Sequence, residues 1–328
     1  MAERRILVVA HAHRDDTVDA AVRVVDTLRR SGATPVMEHA DRTALAEVAP
    51  VLGDVAVLGD DIPVADVDLA IVLGGDGTIL RAAELVREGT APVLGINMGH
   101  VGFLAEIERD NMDAAVARAV AGDYEVEERL ALAVKVRDGA GRVVFKSFAL
   151  NEASIEKDSP GRMIDVVLEV DRRPLSSFGA DGVVIATPTG STAYGFSAGG
   201  PVVWPTVQAI TVVPVSAHAL FARPLVVGPE HAVALELQNS MGGSGVLWCD
   251  GRRTYPLPDG ARVSVRRSSK PVRLARLHPA AFTDRLVRKF QLPVQGWRGP
   301  TGTMMTTSVS VIPVADDHAT MEGSEEPE

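Results

Sequence analysis

Two stretches of this sequence hold residues whose types and spacing could do chemistry. The first is Gly74-Gly75-Asp76-Gly77-Thr78, set directly behind the apolar run Val67 to Leu73. Glycines let a backbone approach a ligand closely and adopt positive φ. Successive N–H groups at a helix start then face any phosphate placed there, so Gly74, Gly75, Gly77 and Thr78 form a candidate phosphate-binding loop. Thr78 can also cap the helix. Asp76 does not fit a site that only binds phosphate, because a bare carboxylate repels it. It makes sense if it coordinates a cation or takes a proton from an attacking hydroxyl. The loop is not a Walker A motif, since no Gly-Lys-Ser/Thr follows. A Gly-Asp-Gly turn can be only a turn; the two extra glycines, the strand before it and the helix after it weigh against that.

The second stretch runs from Asp181-Gly182 through Thr187-Pro188-Thr189-Gly190-Ser191-Thr192-Ala193-Tyr194 to Ser197 and Pro201. An apolar strand passes into hydroxyls, glycines and one aromatic ring. That equipment suits sugar hydroxyls and phosphates beside a stacked base, although a Thr/Ser/Gly loop can also be a plain loop. Gly195-Phe196-Ser197-Ala198-Gly199 matches a nucleophile elbow, and Asp250 and His278 follow in hydrolase order. An elbow needs a strand immediately before the serine and a helix after it. Here the strand ends near Ala186 and Gly199-Gly200-Pro201 breaks any helix, so a serine hydrolase is disfavoured. Asn151-Glu152, behind Ala149-Leu150, could bind hydroxyls or shape a turn. His100, His218 and His278 are isolated, and no His/Cys/carboxylate spacing argues for zinc. Cys249, the single cysteine, reads as a small core residue.

The elements that must position these residues fall into two kinds. The first ~125 residues alternate short apolar runs with helical patterns, the signature of βα units on a parallel sheet. Ile6 to Ala10, Pro35 to Met37, Val67 to Leu73 and Pro92 to Ile96 read as strands. Thr17 to Arg30, Thr43 to Glu47, Thr78 to Glu88 and Asn111 to Ala121 read as helices. From about Arg129 the pattern changes to strands with Asp-Gly and Gly-rich turns, such as 131–137, 142–145, 164–170, 232–237 and 263–265. The expected fold class is α/β plus all-β: an N-terminal Rossmann-like parallel α/β domain over 1–128 and a C-terminal antiparallel β-sandwich-like domain over 129–282. A last helical segment occupies 283–300, with Asp284 to Phe290 amphipathic. Residues 301–328 are Thr/Ser-rich and then acidic, a composition expected to stay disordered.

A chain of 328 residues suffices for two cores, and its 46% apolar and 23% charged residues are globular proportions. No apolar run approaches the roughly 18 residues that span a bilayer, and the N-terminus lacks the pattern of a signal peptide. With one cysteine and hence no internal disulfide, the expected location is cytoplasmic. Six acids in 316–328 account for much of the net charge of −10 and leave about −4 elsewhere. There is no basic stripe with interleaved aromatics, so nucleic acid and membrane are not expected partners.

Together the segments resemble the NAD kinase family, and actinobacterial members in particular, over nearly the whole chain to about Gly299. Gly74 to Thr78 alone is shared with lipid kinases. The narrowing set is Gly95-Ile96-Asn97 with Gly99 and Gly102-Phe103-Leu104, Leu150-Asn151-Glu152, Thr187 to Tyr194 with Ser197 to Pro201, His218-Ala219-Leu220 with Arg223-Pro224-Leu225, and Asp250-Gly251. The resemblance implies transfer of a phosphoryl group to the 2′-hydroxyl of the adenosine ribose of NAD, with ATP, or polyphosphate in its place, as donor and Mg2+ or another divalent cation as cofactor. It makes Asp76 the general base or orienter of that hydroxyl, with Gly75 and Gly77 admitting phosphates. Asn151 and Glu152 would bind NAD hydroxyls and the adenine side; Phe103 and Tyr194 would border the adenine, near Thr192, Ala193 and Ser197; and Asp181 would reach the nicotinamide-side ribose. It also implies a homo-oligomer, dimer or tetramer, with Ser216 and His218 reaching a neighbour's site, and a C-terminal helix returning to the first domain. Glu152 stands where many relatives have Asp. Gly179 stands where many have Arg, leaving Arg252 or Arg253 as substitute donors to the new phosphate. A lipid or sugar kinase, or a non-catalytic NAD(P) sensor, are the competing readings.

Overall fold

The computed structural model describes residues 3–12, 15–99, 102–238, 244–277 and 281–294. The chain divides into a body, Met1–Leu292, and a terminal segment, Pro293–Glu328. Of that segment only Pro293 and Val294 are described, both irregular. The disordered tail expected over 301–328, and His100 and His278, lie outside the described residues.

The first half supplies strands β1 (Arg5–Ala10), β2 (Thr34–Met37), β3 (Ala56–Val57), β4 (Leu69–Leu73), β5 (Val93–Asn97), β6 (Ile107–Glu108) and β7 (Glu125–Arg129). Its helices are α1 (Asp15–Arg30), α2 (His39–Val48), α3 (Asp76–Leu85) and α4 (Met112–Ala121). The second half supplies β8 (Leu132–Arg137), β9 (Val143–Ala149), β10 (Glu152–Lys157), β11 (Ile164–Val170), β12 (Arg173–Ala180), β13 (Gly182–Ala186) and β14 (Ile210–Val215). It continues through β15 (Leu225–Val227), β16 (Val233–Gln238), β17 (Gly245–Cys249), β18 (Arg253–Leu257), β19 (Arg262–Arg267) and β20 (Val272–Arg276). Two further helices are the short α5 (Tyr194–Ser197) and α6 (Phe282–Phe290).

The first sheet runs β3-β2-β1-β4-β5-β20-β7, with β6 also on β5. It is parallel apart from the antiparallel β20–β7 pair. β4 shows why its strands read as unbroken apolar runs. Side chains alternate between faces, and here both faces are covered. Leu69, Ile71 and Leu73 enter a core shared with α1 and α4. Ala70 and Val72 enter a second core with Ile79, Leu80 and Ala83 of α3. The chain returns to this sheet at its end: β20 lies between β5 and β7, although the sequence grouped it with the 129–282 β domain.

The other strands form two six-stranded sheets, β15-β14-β13-β10-β17-β18 and β12-β11-β16-β19-β8-β9, in which every pairing is antiparallel. One core draws Val134, Val166, Leu235 and Val263 from one sheet and Ile155, Val183, Ile185, Val212 and Leu247 from the other. That is the sandwich-like arrangement. Cys249 is fully buried in it, and burial pushes its thiol up to about 11, as a core residue requires.

Candidate active site

Asp76 is positioned by the shortness of the connection before it. β4 ends at Leu73 and α3 begins at Asp76, with Gly75 at the N-cap. Thr78 is therefore not the cap expected from sequence. It is the third helical residue, buried, and a Cβ on Gly74 would lie 2.5 Å from its Oγ1. Gly74 thus makes room for Thr78, while Gly75 and Gly77 stand in open space. The Asp76 carboxylate accepts one backbone N–H at each oxygen: Phe103 on Oδ2 and Leu104 on Oδ1, both at 2.9 Å. Each oxygen keeps a free lone pair, and the residue is half-buried, so it can still accept a hydroxyl proton. A Cβ on Gly102 would lie 2.3 Å from Asp76 Oδ1, so the turn that holds the carboxylate must pass it as glycine.

Asn151 stands between β9 and β10 and Glu152 opens β10, the pair pinned by a residue that sequence reasoning met only as part of a hydrolase decoy and a family motif. Asp250 accepts the N–H groups of Leu150 (3.0 Å) and Asn151 (2.7 Å), and Arg253 Nη2 donates to it at 2.6 Å. Its own N–H donates to the carbonyl of Glu152, and its φ of 55° is the left-handed region that Asp tolerates better than most residues. Burial raises the Asp250 carboxyl above its ordinary range. Glu152 goes further. Burial, reinforced by Asp250, pushes its carboxyl up to about 8, and its Oε2 is buried without a protein partner. Such an oxygen is free for a ligand.

The hydroxyl-rich loop sits on this same backbone. Thr187 N–H donates to Asn151 O at 2.9 Å; Thr187 Oγ1 donates to Leu150 O at 2.5 Å and accepts Gly190 N–H at 3.1 Å. A Cβ on Gly190 would lie 2.1 Å from Asn151 O, so only glycine permits the contact. Thr187 and Ser191 therefore spend their hydroxyls on the fold, Ser191 donating to Pro188 O and accepting Val203 N–H. Thr192, Ala193 and Tyr194 are half-buried and Ser197 is exposed. Ser197 ends the four-residue α5 rather than following a strand, which removes the elbow geometry.

Tyr194 packs on Val184, Ala186 and Val213, and its N–H donates to the Glu152 carboxylate. Burial, then Glu156, Glu152 and Asp181, raise its phenol above the usual range, so three carboxylates surround it. Asp181 is held low first by its hydrogen bond with Lys157 Nζ at 2.5 Å, and further by Ser216 and His218. The structure therefore brings Asp181, Ser216 and His218 together, with the last two exposed. His218 donates its N–H to Gly179 O. The cation beside Asp181 is Lys157. Arg253, offered by the sequence with Arg252 as a substitute phosphate donor, gives Nη2 to Asp250 and lies over the face of Phe148 at 4.1 Å, while its Nε and Nη1 are buried without a hydrogen-bond partner. Arg252 lies against Glu84 at 3.5 Å.

Phe103 does not line an open wall. Its ring is buried between Phe282 (6.0 Å) and Phe290 (5.8 Å) of α6, and Phe290 also packs on Phe196 at 4.6 Å. α6 thereby joins the turn that holds Asp76 to the helix that carries Tyr194. Sequence reasoning gave α6 its amphipathic face but no place in the site.

A glycine-rich loop at the carboxyl edge of a parallel sheet, an acid with lone pairs free to take a hydroxyl proton, and a buried acid with an unpartnered oxygen in the β domain suit a nucleotide-dependent phosphotransferase. Family models agree in detail: that of the ATP-NAD kinase N-terminal domain matches residues 6–124, and that of the ATP-NAD kinase C-terminal domain matches 150–277. An NAD kinase of Leifsonia xyli subsp. xyli is 61% identical over 301 residues, 92% of this chain and 99% of the relative. Among solved structures, a yeast NADH kinase complexed with NADH matches with a TM-score of 0.79 at 20% identity, covering 92% of this chain and 90% of that one. An NAD kinase from Archaeoglobus fulgidus in complex with ATP matches with 0.65 at 25% identity, covering 88% and 98%. The chain belongs to the ATP-NAD kinase family.

Proposed function

We infer that the chain is an NAD kinase, transferring the terminal phosphoryl group of ATP to the 2′-hydroxyl of the adenosine ribose of NAD to give NADP. The observation that carries the residue assignment is Asp76, fixed by two N–H groups at the mouth of a glycine loop with lone pairs still free. In this reading it accepts the proton of the attacking hydroxyl, while Gly74, Gly75, Gly77 and the start of α3 face the donor phosphates. Thr78, buried, supports that loop from behind. Glu152, with one buried unpartnered oxygen, and Asn151 bind ribose hydroxyls; Tyr194, Thr192, Ala193 and Ser197 border the adenine side, and Asp181 the second ribose.

Among the described residues no group of three or more His, Cys, Asp or Glu side chains could hold a metal. A Mg2+ would be held mainly by donor phosphate oxygens and water, as such ions commonly are. The ion would neutralise charge on the transferring phosphoryl group; the protein supplies position. Polyphosphate in place of ATP is compatible with a loop that reads only phosphates. Ser216 and His218 are exposed beside Asp181, and Leu220 and Phe221 extend that exposed surface. This supports a homo-oligomer in which a neighbour completes the site. Among the described residues no helix is long and apolar enough to cross a membrane, which is compatible with work in the cytoplasm. Incubating purified protein with NAD, ATP and magnesium should yield NADP; product with a lipid or sugar acceptor but none with NAD would overturn the reading.

A further inference from the structure

One of the two peptide groups that hold Asp76 is itself held at its carbonyl by an arginine, and the peptide that follows it by a second. Arg285 Nη1, on α6, donates to the carbonyl of Phe103. That carbonyl and the N–H of Leu104 belong to one peptide unit, and the N–H donates to Asp76 Oδ1. Arg276 Nη1, at the end of β20, donates to the carbonyl of the next unit, Leu104, at 3.1 Å. A charged donor on a carbonyl polarises the amide and strengthens the hydrogen bond made by its N–H. The same helix grips the Phe103 ring through Phe282 and Phe290.

We propose that Arg285 is a positioning residue for phosphoryl transfer, acting through the Phe103–Leu104 peptide to fix the Asp76 carboxylate. The proposal rests on the reading of Asp76 as the group that faces the acceptor hydroxyl. Packing alone does not account for an arginine here. Burial, with Arg276 and Arg129 nearby, pushes its guanidinium down to about 10, so a charge is kept at a site that disfavours it. An apolar residue would cover Phe103 without that cost. A displacement of the carboxylate by about 1 Å would lower turnover without altering the residues that bind NAD.

The test is steady-state NADP formation by the full chain carrying Arg285→Met, Arg285→Lys, Asp76→Asn, or Arg285→Met with Asp76→Asn. Arg285→Met should lower kcat roughly tenfold with KM for NAD and ATP within about twofold. Arg285→Lys, still a charged donor, should recover most of the loss. On the Asp76→Asn background, Arg285→Met should lower the residual rate no further, because the two act as one unit. If the Met variant does not fold, Arg285→Gln, which keeps a donor without the charge, is held to the same loss of kcat at constant KM. Unchanged kcat in Arg285→Met or its Gln substitute, a loss confined to KM, or a full additional loss on the Asp76→Asn background would overturn the proposal. Near-normal turnover in Asp76→Asn would instead overturn the role given to Asp76.

Discussion

Asp76 and Glu152, the two carboxyl groups that the proposed function brings to one substrate, sit in opposite surroundings. Asp76 is half-buried, at the first turn of a helix, with one N–H on each oxygen. Glu152 is buried at the start of a strand, with one oxygen lacking any protein partner and its carboxyl pushed up to about 8. The first is oriented by backbone and left open to a hydroxyl. The second sits where solvent is excluded and holds its proton into the neutral range. On the proposed function, the contrast separates two tasks: taking a proton in the reaction, and recognising a ligand with a group whose own charge is suppressed.

The largest effect should come from removing the carboxylate at the first position. Asp76→Asn keeps the shape but cannot take a proton, and its amide can accept only one of the two N–H groups that the carboxylate accepts. NADP formation should fall by on the order of 10³-fold, while NAD affinity by calorimetry stays within severalfold. Near-normal turnover would break the assignment. Next are two glycines, one under each region. Ala at 102 would put a methyl 2.3 Å from Asp76 Oδ1, whereas Ala at 190 would put one 2.1 Å from Asn151 O. Gly102→Ala should cost about 100-fold, expressed in kcat, since a small misplacement of the reacting group suffices. Gly190→Ala should raise KM for NAD and destabilise by about 1–3 kcal/mol as the loop is forced off its seat. Kinetics and thermal melts on both variants read the split; the same kcat/KM pattern in both would dissolve the comparison.

The two regions also differ in how much of them was legible in the sequence. The Asp76 loop was readable because its geometry is local: a buried strand, glycines and a helix are contiguous, and the structure alters only their bounds, the strand starting at Leu69 and the helix running from Asp76 to Leu85. Parallel strands with both faces covered gave unbroken apolar runs. The second region is assembled from distant segments. Asp250 reaches Leu150 and Asn151 across 100 and 99 positions of chain, and no periodicity announces such a bond. β10 was missed as a strand because Glu152 and Glu156 sit in its run, and β20 was assigned to the wrong sheet because strand pairing is not written locally. Phe103 was expected at the adenine edge. Its burial against α6 depends on a helix far along the chain, the Arg285 to Phe103 hydrogen bond spanning 182 positions.

The smallest effect is the one that most sharpens the contrast, because it applies the same carboxylate-to-amide exchange to the second region. Glu152 has a folded-state value of about 8 against an ordinary 4.5. Between those values the folded protein binds a proton that the unfolded chain has released, so ionisation works against folding. Stability should therefore decline as pH rises from about 4.5 through about 8, the reverse of a salt-bridged acid. Glu152→Gln cannot ionise and removes that slope. At pH 5 wild type and variant should melt together, whereas at pH 9 the variant should melt a few degrees higher. A variant that melts lower at pH 9, or a constant difference at every pH, would show that Glu152 carries its charge in the folded protein. It would then differ from Asp76 in location but not in state.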